Sequence, residues 1–361
     1  KPRTTDKLYY DLSLNQALYR WGTITRGIES AKIRQSIEEG NLRLGYLALA
    51  AEVRTTYLRI IQKNRSVKKA RLYLSILQET LDATEQKRAD NLASEAELFT
   101  AQLDRDKAEV DLLIIEESLL GDIEIYARLL GAENRDASAF PLDYDAPNYE
   151  SDLPILESIA HRFLSSDDPR NTAIVNIEKQ IKVNENNVHA HRVALRPTVS
   201  LIAGTTQDER DDTLTAITRY QYSWTYAGVS VYWPIFDGFG AKSRLKAGLA
   251  RLRADELNLQ MQKDALSGNV QATLRSVKRL ALSIKVEKMK LSSAESHLSL
   301  TKEQLAQGDT SESAVQVAEL SLDNAAISLM STSYYYWAEM MKLLELTETD
   351  PILNDVPTPI K

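Results

Sequence analysis

Apolar residues recur along this chain in two patterns, alternation over short stretches and three- or four-residue spacing over long ones. Residues 8–16 alternate, and their apolar members share one side of a predicted β-strand: Leu8, Tyr10, Leu12 and Leu14. From about residue 23 to residue 88 the spacing is helical, which at ~1.5 Å per residue predicts a helix roughly 100 Å long. The spacing is interrupted at 89–94 and resumes to about residue 130. The pattern therefore predicts a helical hairpin with its tip at 89–94.

The second half of the chain predicts the same kinds of element. In order, these are a helix over about 155–196, strands over about 198–206 and 220–233, and a helical hairpin over about 239–343 with its tip at 306–311. Residues 207–212 are predicted to form an acidic loop between the strands. The second strand begins with an alternating aromatic set, Tyr220, Tyr222, Trp224 and Tyr226, and then changes phase at Val229 and Val231. This predicts a bulge near Ala227 and Gly228 or a change of environment, and aromatic residues at strand ends are typical of a bilayer interface.

The two halves are related by a gap-free repeat at an offset of 217 residues. The offset pairs Glu39 with Glu256 and Asn41 with Asn258, and it continues into Ser94 and Ser311. Because one inserted residue would disrupt the packing of a stacked helix, both copies are expected to obey the same geometry. The predicted domains are a first repeat at 1–130, a linker or peripheral segment at 131–153, a second repeat at 154–345 and a C-terminal tail at 346–361.

Composition and charge narrow the functions that this architecture can serve. The net charge is −7, so a nucleic-acid partner is not expected. No helical stretch has the run of roughly 18 apolar residues that a spanning helix needs, so any membrane contact is assigned to strands or to an anchor. No phosphate loop, hydrolase elbow or paired histidine ligands are found, because His189 and His191 are two residues apart and point to different sides of a helix. The sequence predicts no enzyme activity, no metal site and no cofactor.

Three short segments mark the points where the pattern changes. Residues 195–201 lead from a helix into a strand, residues 229–238 lead out of a strand, and residues 305–311 place a glycine ahead of a small hydroxyl residue and a new helix. These segments resemble the helix-to-barrel junctions and the hairpin tip of the TolC-like outer-membrane efflux and secretion channels. Each motif alone is loose, whereas their order, spacing and duplication are specific, and the resemblance covers essentially the whole chain.

The resemblance implies a mainly α-helical, internally duplicated homotrimer. Long coiled-coil hairpins would form a periplasmic tunnel, and the strands would join a twelve-stranded transmembrane β-barrel in the outer membrane of a Gram-negative bacterium. The implied function is a passive exit duct of a tripartite efflux pump or a type I secretion system, docked to a periplasmic adaptor and through it to an inner-membrane pump of the RND or ABC type. The barrel residues singled out, which would meet outer-membrane lipid, are Tyr10, Leu12, Val199, Leu201, Tyr222 and Trp224. The implied adaptor-docking residues, whose alternative role is only to turn the chain, are Asn91, Leu92, Ala93, Ser94, Gly308, Asp309, Thr310 and Ser311.

The chain departs from the family pattern in two places. A full first repeat would place a helix and a strand before Leu8, so an N-terminal segment is expected to precede this sequence in the working protein, and with it any lipid anchor. The family often carries aspartate rings six and nine residues after the tip glycine, where this chain has Ala314 and Val317. The nearest acids that could form a selective entrance are Glu95, Glu97, Asp309 and Glu312, and the alternative is that they are ordinary acids of first helical turns.

Two other functions remain open from the sequence. One is a soluble structural coiled-coil protein, which would have no use for alternating aromatic strands between Pro197 and Trp233. The other is the periplasmic adaptor of the same kind of machine, which needs one hairpin within a lipoyl-type domain rather than two hairpins at a fixed offset. Whether the cargo is a drug, a metal or a protein is left open, as is the open or closed state of the tips.

Overall fold

The computed structural model describes residues 5–132, 136–166, 168–212 and 218–354. Its strands are β1 (Thr5–Tyr19), β2 (Thr198–Asp212) and β3 (Thr218–Tyr232). Its helices are α1 (Thr23–Ala89), α2 (Glu95–Leu130), α3 (Tyr149–Leu164), α4 (Thr172–Arg192), α5 (Gly240–Gln307) and α6 (Glu312–Thr347), with short 3-10 helices at Ala137–Ala139 and Pro351–Asn354. Two compact units divide the chain, one containing residues 1–41 and 173–262 and the other residues 42–172 and 263–361. Each unit therefore draws on both halves of the sequence.

The three strands form one antiparallel sheet in the order β1-β2-β3. The pairing of β2 with β3 is continuous from Thr198 opposite Tyr232 to Asp212 opposite Thr218, so the bulge expected near Ala227 is absent from this described pair. The one register shift in the described sheet lies in the pairing of β1 with β2, between Ala17 and Tyr19 of β1. The stretch 207–212, expected to be a loop, continues β2, because its backbone groups pair with both neighbouring strands.

The single helix expected over about 155–196 is two helices, α3 and α4. The break precedes Pro169, which has no N–H to donate and disfavours helical geometry in the residue before it. Helix α3 also begins at Tyr149, earlier than expected, and Pro154 lies inside it. The predicted linker thus contains the first turns of α3 as well as a 3-10 helix.

The linker contributes to the hydrophobic core of the second unit. Phe140 is buried with Ile60 and Val67 of α1 and with Leu119 and Ile123 of α2. The side-chain amide of Asn64 donates to the carbonyls of Ala137 and Phe140, at 3.3 and 3.2 Å. These bonds add polar contacts to the apolar packing of Phe140, so the linker is held on the first hairpin.

Left-handed backbone conformations recur at the same offset as the sequence repeat. All eight positive-φ residues of the described chain fall into four pairs separated by 217 residues: Trp21 and Gly238, Gly22 and Phe239, Asn91 and Gly308, and Gly131 and Glu348. Helices α2 and α6 also occupy equivalent positions, with 36 residues each. A left-handed residue is usually glycine, yet each pair has a non-glycine member, so position rather than residue type determines the conformation.

Within the described residues, none of the helices combines the length and the apolar composition needed to cross a membrane.

Candidate functional site

The turn between α1 and α2 is closed at both helix ends. Asn91 has a φ of 60°, and the backbone N–H groups of Asn91 and Leu92 donate to the carbonyls of Arg88 and Lys87, at 3.0 and 2.7 Å. Ser94 caps α2 by accepting from the Glu97 backbone N–H at 3.2 Å, while the Glu97 carboxylate accepts from the Ser94 N–H at 2.7 Å. This reciprocal capping box satisfies two N–H groups that the helix itself leaves unpaired. It also holds the pKa of Glu97 below its usual range, chiefly through the backbone hydrogen bond from Ser94.

The turn between α5 and α6 has the same backbone geometry and a weaker cap. Gly308 takes the left-handed position at a φ of 82°, and the N–H groups of Gly308 and Asp309 donate back to Leu305 and Gln304, at 3.0 and 2.9 Å. Ser311 accepts from the Ala314 N–H at 3.4 Å. Because Ala314 stands where Glu97 stands in the first turn, no carboxylate is available to complete a capping box.

The four candidate entrance acids lie at these two turns. Glu95 and Glu97 are in the first turn of α2, Glu312 is in the first turn of α6, and Asp309 precedes it. In the described part of the chain, no hydrogen bond joins an acid of one turn to an acid of the other. All four acids are exposed, and Glu97 is in addition engaged in its own helix cap. Leu92, which was expected to contact an adaptor, is 77% exposed at the first turn.

Two tryptophans tie the ends of β1 and β3 to the segment between α4 and β2, a role that sequence reasoning missed. The Trp21 indole N–H donates to the Pro197 carbonyl at 2.7 Å, and the Trp233 indole N–H donates to the Leu195 carbonyl at 3.1 Å. The Arg196 guanidinium lies over the Trp21 ring, 4.6 Å from its centroid. The available signal was a tryptophan at both junctions, since a partly buried indole usually finds an acceptor.

The strand register separates the six expected barrel residues into two groups. Tyr10 and Leu12 of β1 lie on the same face as Val199 and Leu201 of β2. Tyr222 and Trp224 of β3 lie on the opposite face, because each pairs with an even-numbered residue of β2. The face that carries Leu12 and Leu201 also carries Leu14, Ala203, Val229 and Val231, so one sheet face is predominantly apolar near the helix junctions.

Helices α1 and α6 contact each other in the second unit along a seam, meaning the row of facing side chains on the two helices. The seam contains both polar and apolar residues. Arg65 pairs with Asp323 at 3.0 Å, Lys69 donates to Asn324 at 2.9 Å, and Gln316 donates to Glu79 at 3.0 Å. On α6 the seam residues have alternating spacings of four and three and are buried or half-buried: Gln316, Leu320, Asp323, Ile327 and Met330. This spacing is the signature of coiled-coil packing.

The equivalent positions of α2 and α5 are exposed. On α2 they are Phe99, Leu103, Asp106, Val110 and Leu113, whose four apolar members are 42–65% exposed. On α5 they are Leu282, Val286, Met289, Ser293, Ser296 and Leu300, whose apolar members are 50–69% exposed. Sequence reasoning identified the buried stripes of the hairpins and missed these outer seams, which have the same heptad spacing.

Comparison with protein families matches residues 168–344 to the outer membrane efflux protein family. No curated protein sequence is significantly similar to the chain.

Solved structures of similar fold are outer-membrane channels. VceC of Vibrio cholerae is 15% identical, with a TM-score of 0.61 over 96% of this chain and 87% of that one. The CmeC outer membrane channel of Campylobacter jejuni is 13% identical, with a TM-score of 0.65 over 96% and 77%. The MtrE outer membrane channel of Neisseria gonorrhoeae, solved in its open state, is 16% identical, with a TM-score of 0.58 over 96% and 79%. Residues 168–344 therefore match the outer membrane efflux protein family, and the resemblance to TolC-like outer-membrane channels that the sequence motifs suggested is confirmed.

Proposed function

We propose that this chain forms a passive outer-membrane exit duct as a homotrimer. In this proposal α1, α2, α5 and α6 of three copies make a periplasmic tunnel, and β1, β2 and β3 of each copy contribute to a shared transmembrane barrel. An inner-membrane pump of the RND or ABC type supplies the energy through a periplasmic adaptor. The match of residues 168–344 to the outer membrane efflux protein family supports a conducting role, as do the outer-membrane channels among the structures of similar fold.

The observation that carries the proposal is the pair of exposed heptad seams on α2 and α5. Within one chain, the equivalent positions of α6 and α1 pair with each other. The α2 and α5 seams have the same spacing and comparable length, and both lie in the second unit. If α2 of one copy packs against α5 of the next, the interface joins two different surfaces, and such an interface generates a ring when the rotation closes. A closed ring of helices is a tunnel.

The repeat also gives the register of this contact between copies. Arg65 and Asp323, which pair inside the chain, correspond to Leu282 and Asp106. We therefore expect Leu282 to lie beside Asp106 of the neighbouring copy. Met289 and Val286 would face Leu103 and Asp106 of that copy, so apolar contacts dominate and Asp106 is the polar position that specifies the register.

The sheet supports the membrane part of the proposal. Its apolar face carries Leu12, Leu14, Leu201 and Val229, and these four side chains are 40–70% exposed in the single chain. Lipid would shield this apolar face from water. The opposite face, which carries Asp11, Ser13 and Asp208, would line the interior. We assign Tyr10, Leu12, Val199 and Leu201 to the lipid face.

The two turns are the proposed adaptor-docking surface, formed by residues 91–94 and 308–311. Both are exposed, and both keep their backbone shape without help from another element. Asp309 and Glu312 are the better candidates for a selective entrance, since Glu97 is occupied in its cap. Neutralising both, as Asp309→Asn with Glu312→Gln, should reduce the cation preference of single channels in a planar bilayer. Unchanged selectivity in a conducting trimer would leave these acids as helix-start residues only.

Cross-linking tests the proposed assembly directly. The chain has no cysteine, so Asp106→Cys combined with Leu282→Cys introduces the only two thiols. A short bismaleimide should join detergent-purified copies into covalent dimers and trimers on a denaturing gel. The matched control combines Leu282→Cys with Asp104→Cys, because Asp104 is exposed on another side of α2. Equal cross-linking in both variants, or only monomers in both, would contradict the proposed ring.

A further inference from the structure

The sheet face opposite the apolar face combines aromatic rings with carboxylates. The register places Tyr9, Asp208 and Tyr222 side by side across the three strands, and places Asp11, Thr206 and Trp224 side by side at the next level. Tyr9, Tyr222 and Trp224 are 48–56% exposed. An aromatic belt at a bilayer interface would put its rings on the lipid side, whereas these rings share a face with two aspartates.

The first of these levels already holds a cation. The Lys7 ammonium lies 3.9 Å from the Asp208 carboxylate and 5.2 Å from the centroid of the Tyr9 ring. The carboxylate supplies the opposite charge, and the ring supplies the negative face of its π-system. The chain thus contains an internal example of an ammonium held between an acid and an aromatic ring.

The second level has the same chemistry without the ammonium. The Thr206 hydroxyl donates to the Asp11 carboxylate at 2.6 Å, which orients the carboxylate. The Trp224 ring packs against Tyr226 with a centroid distance of 4.9 Å, forming a two-ring platform. Among the ion pairs of the described residues, none involves Asp11. The remaining acceptor capacity of that carboxylate is therefore available to an outside donor.

We propose that Asp11 and the Trp224–Tyr226 platform form a binding site for aromatic organic ammonium ions. Strand spacing sets the ligand's length: β1 and β3 lie on either side of β2, so Asp11 and Trp224 are roughly 10 Å apart. A suitable ligand carries its amine at one end and its ring several bonds away. The inference rests on the proposed function, because this face lines a passage only if the chain forms a duct. A shallow two-point site of this kind holds a cargo weakly enough to release it, as conduction requires.

Glycine 204 helps to define the platform. A Cβ added at Gly204 would lie 2.7 Å from the Tyr226 ring, so that ring covers the glycine directly. Gly204 and Tyr226 are cross-strand partners, on the same face as Trp224. Any larger residue at 204 would displace Tyr226 and, through it, the stacked Trp224 ring.

The test uses 4-phenylbutylammonium as a blocker of single channels formed by the full chain in a planar bilayer. The two companion probes are 4-phenylbutyrate, which has the same ring and the opposite charge, and butylammonium, which has no ring. We expect the half-blocking concentration of 4-phenylbutylammonium to rise about fivefold in Asp11→Asn and in Trp224→Leu. Glu209→Gln is the matched control, because Glu209 is a β2 acid on the opposite face.

The outcomes separate this inference from the proposed function. A channel that conducts but is blocked equally by the anionic probe, or equally in wild type and in both site variants, overturns the site. A trimer that does not conduct counts against the duct, and the site is then tested in detergent by tryptophan fluorescence. In that case 4-phenylbutylammonium should change the wild-type emission and leave that of Trp224→Leu nearly unchanged. The same change in both proteins would also overturn the site.

Discussion

Helix α6 buries a side of its surface that helix α2 leaves exposed, although the two helices occupy equivalent positions of the repeat. Met330 of α6 is 2% exposed, and Leu113, its counterpart on α2, is 54% exposed. The backbone does not explain the difference, because both helices begin after a serine cap and end at a left-handed residue. The difference lies in the neighbours: α6 meets α1 within the chain, whereas the partner equivalent to α1 for α2 would be α5 of another copy. The same heptad pattern therefore serves folding in one place and, by our proposal, assembly in the other.

The largest expected effect comes from placing a charge at this pair of equivalent positions. Met330→Asp would bury an unpaired carboxylate, and we expect it to lower the free energy of unfolding of the protomer by about 3 kcal/mol or more. Leu113→Asp should change the protomer's stability by less than about 0.5 kcal/mol while abolishing the trimer. Chemical denaturation measures the first effect and light scattering in detergent the second. If Leu113→Asp remains trimeric, the proposed seam is wrong.

A smaller contrast concerns two acids related by the repeat. Asp122 of α2 is buried and pairs with Arg59 at 2.9 Å and Lys63 at 2.6 Å. Glu339 occupies the equivalent position on α6, where Ser276 and Leu280 replace the two basic residues and one carboxylate oxygen is buried without a hydrogen-bond partner. We expect Asp122→Asn to destabilise by about 1–3 kcal/mol and Glu339→Gln to be neutral or mildly stabilising, both measured by denaturant unfolding. Equal losses of stability in the two variants would contradict the expected difference between a paired Asp122 and an unpaired Glu339.

The two turns provide a third contrast. Ser94→Ala removes the hydroxyl that accepts from the Glu97 N–H in the capping box and should destabilise by about 1 kcal/mol, whereas Ser311→Ala removes a longer 3.4 Å capping bond and should cost a few tenths of a kcal/mol. Ala314→Glu, which supplies the acid that the second turn lacks, should stabilise that turn by a similar few tenths. Local hydrogen exchange at the first residues of α2 and α6 measures each change. A larger effect at Ser311 than at Ser94 would reverse the assignment of the stronger cap.

Sequence reasoning located the hairpin turns because their signals are local. Asn91 and Gly308 favour a left-handed corner and the serines at 94 and 311 cap the next helix, and the structure has α1 ending at Ala89 and α2 beginning at Glu95. It did not assign the faces of β3, because alternation alone cannot say which side of a strand pairs with which side of its neighbour. Trp224 was grouped with Leu12 and lies opposite to it. The break between α3 and α4 was also missed, although Pro169 was its local signal.

Distinguishing the seam within the chain from the exposed seam was beyond the sequence for a similar reason. The residues from Phe99 to Leu113 and those from Gln316 to Met330 follow the same heptad, so their patterns predict equal packing. Long-range contacts such as the pairing of Arg65 with Asp323 show which seam the chain fills itself. That information belongs to tertiary structure, because the two residues are far apart in the sequence.

The smallest expected effect is a pH dependence confined to the first turn. The folded-state pKa of Glu97 is lowered, chiefly by the Ser94 backbone hydrogen bond, so its stabilisation is complete above the unfolded-state pKa and is lost as pH falls through the folded-state value. The cap of the second turn is a serine hydroxyl, which does not titrate in this range. Hydrogen exchange at the start of α2 should therefore become less protected in acid, relative to the start of α6, after correction for intrinsic rates. Glu97→Gln should remove that relative change while keeping an acceptor for the Ser94 N–H. A relative change that persists in Glu97→Gln would point to another acid, with Glu95 in the same helical turn the first to examine.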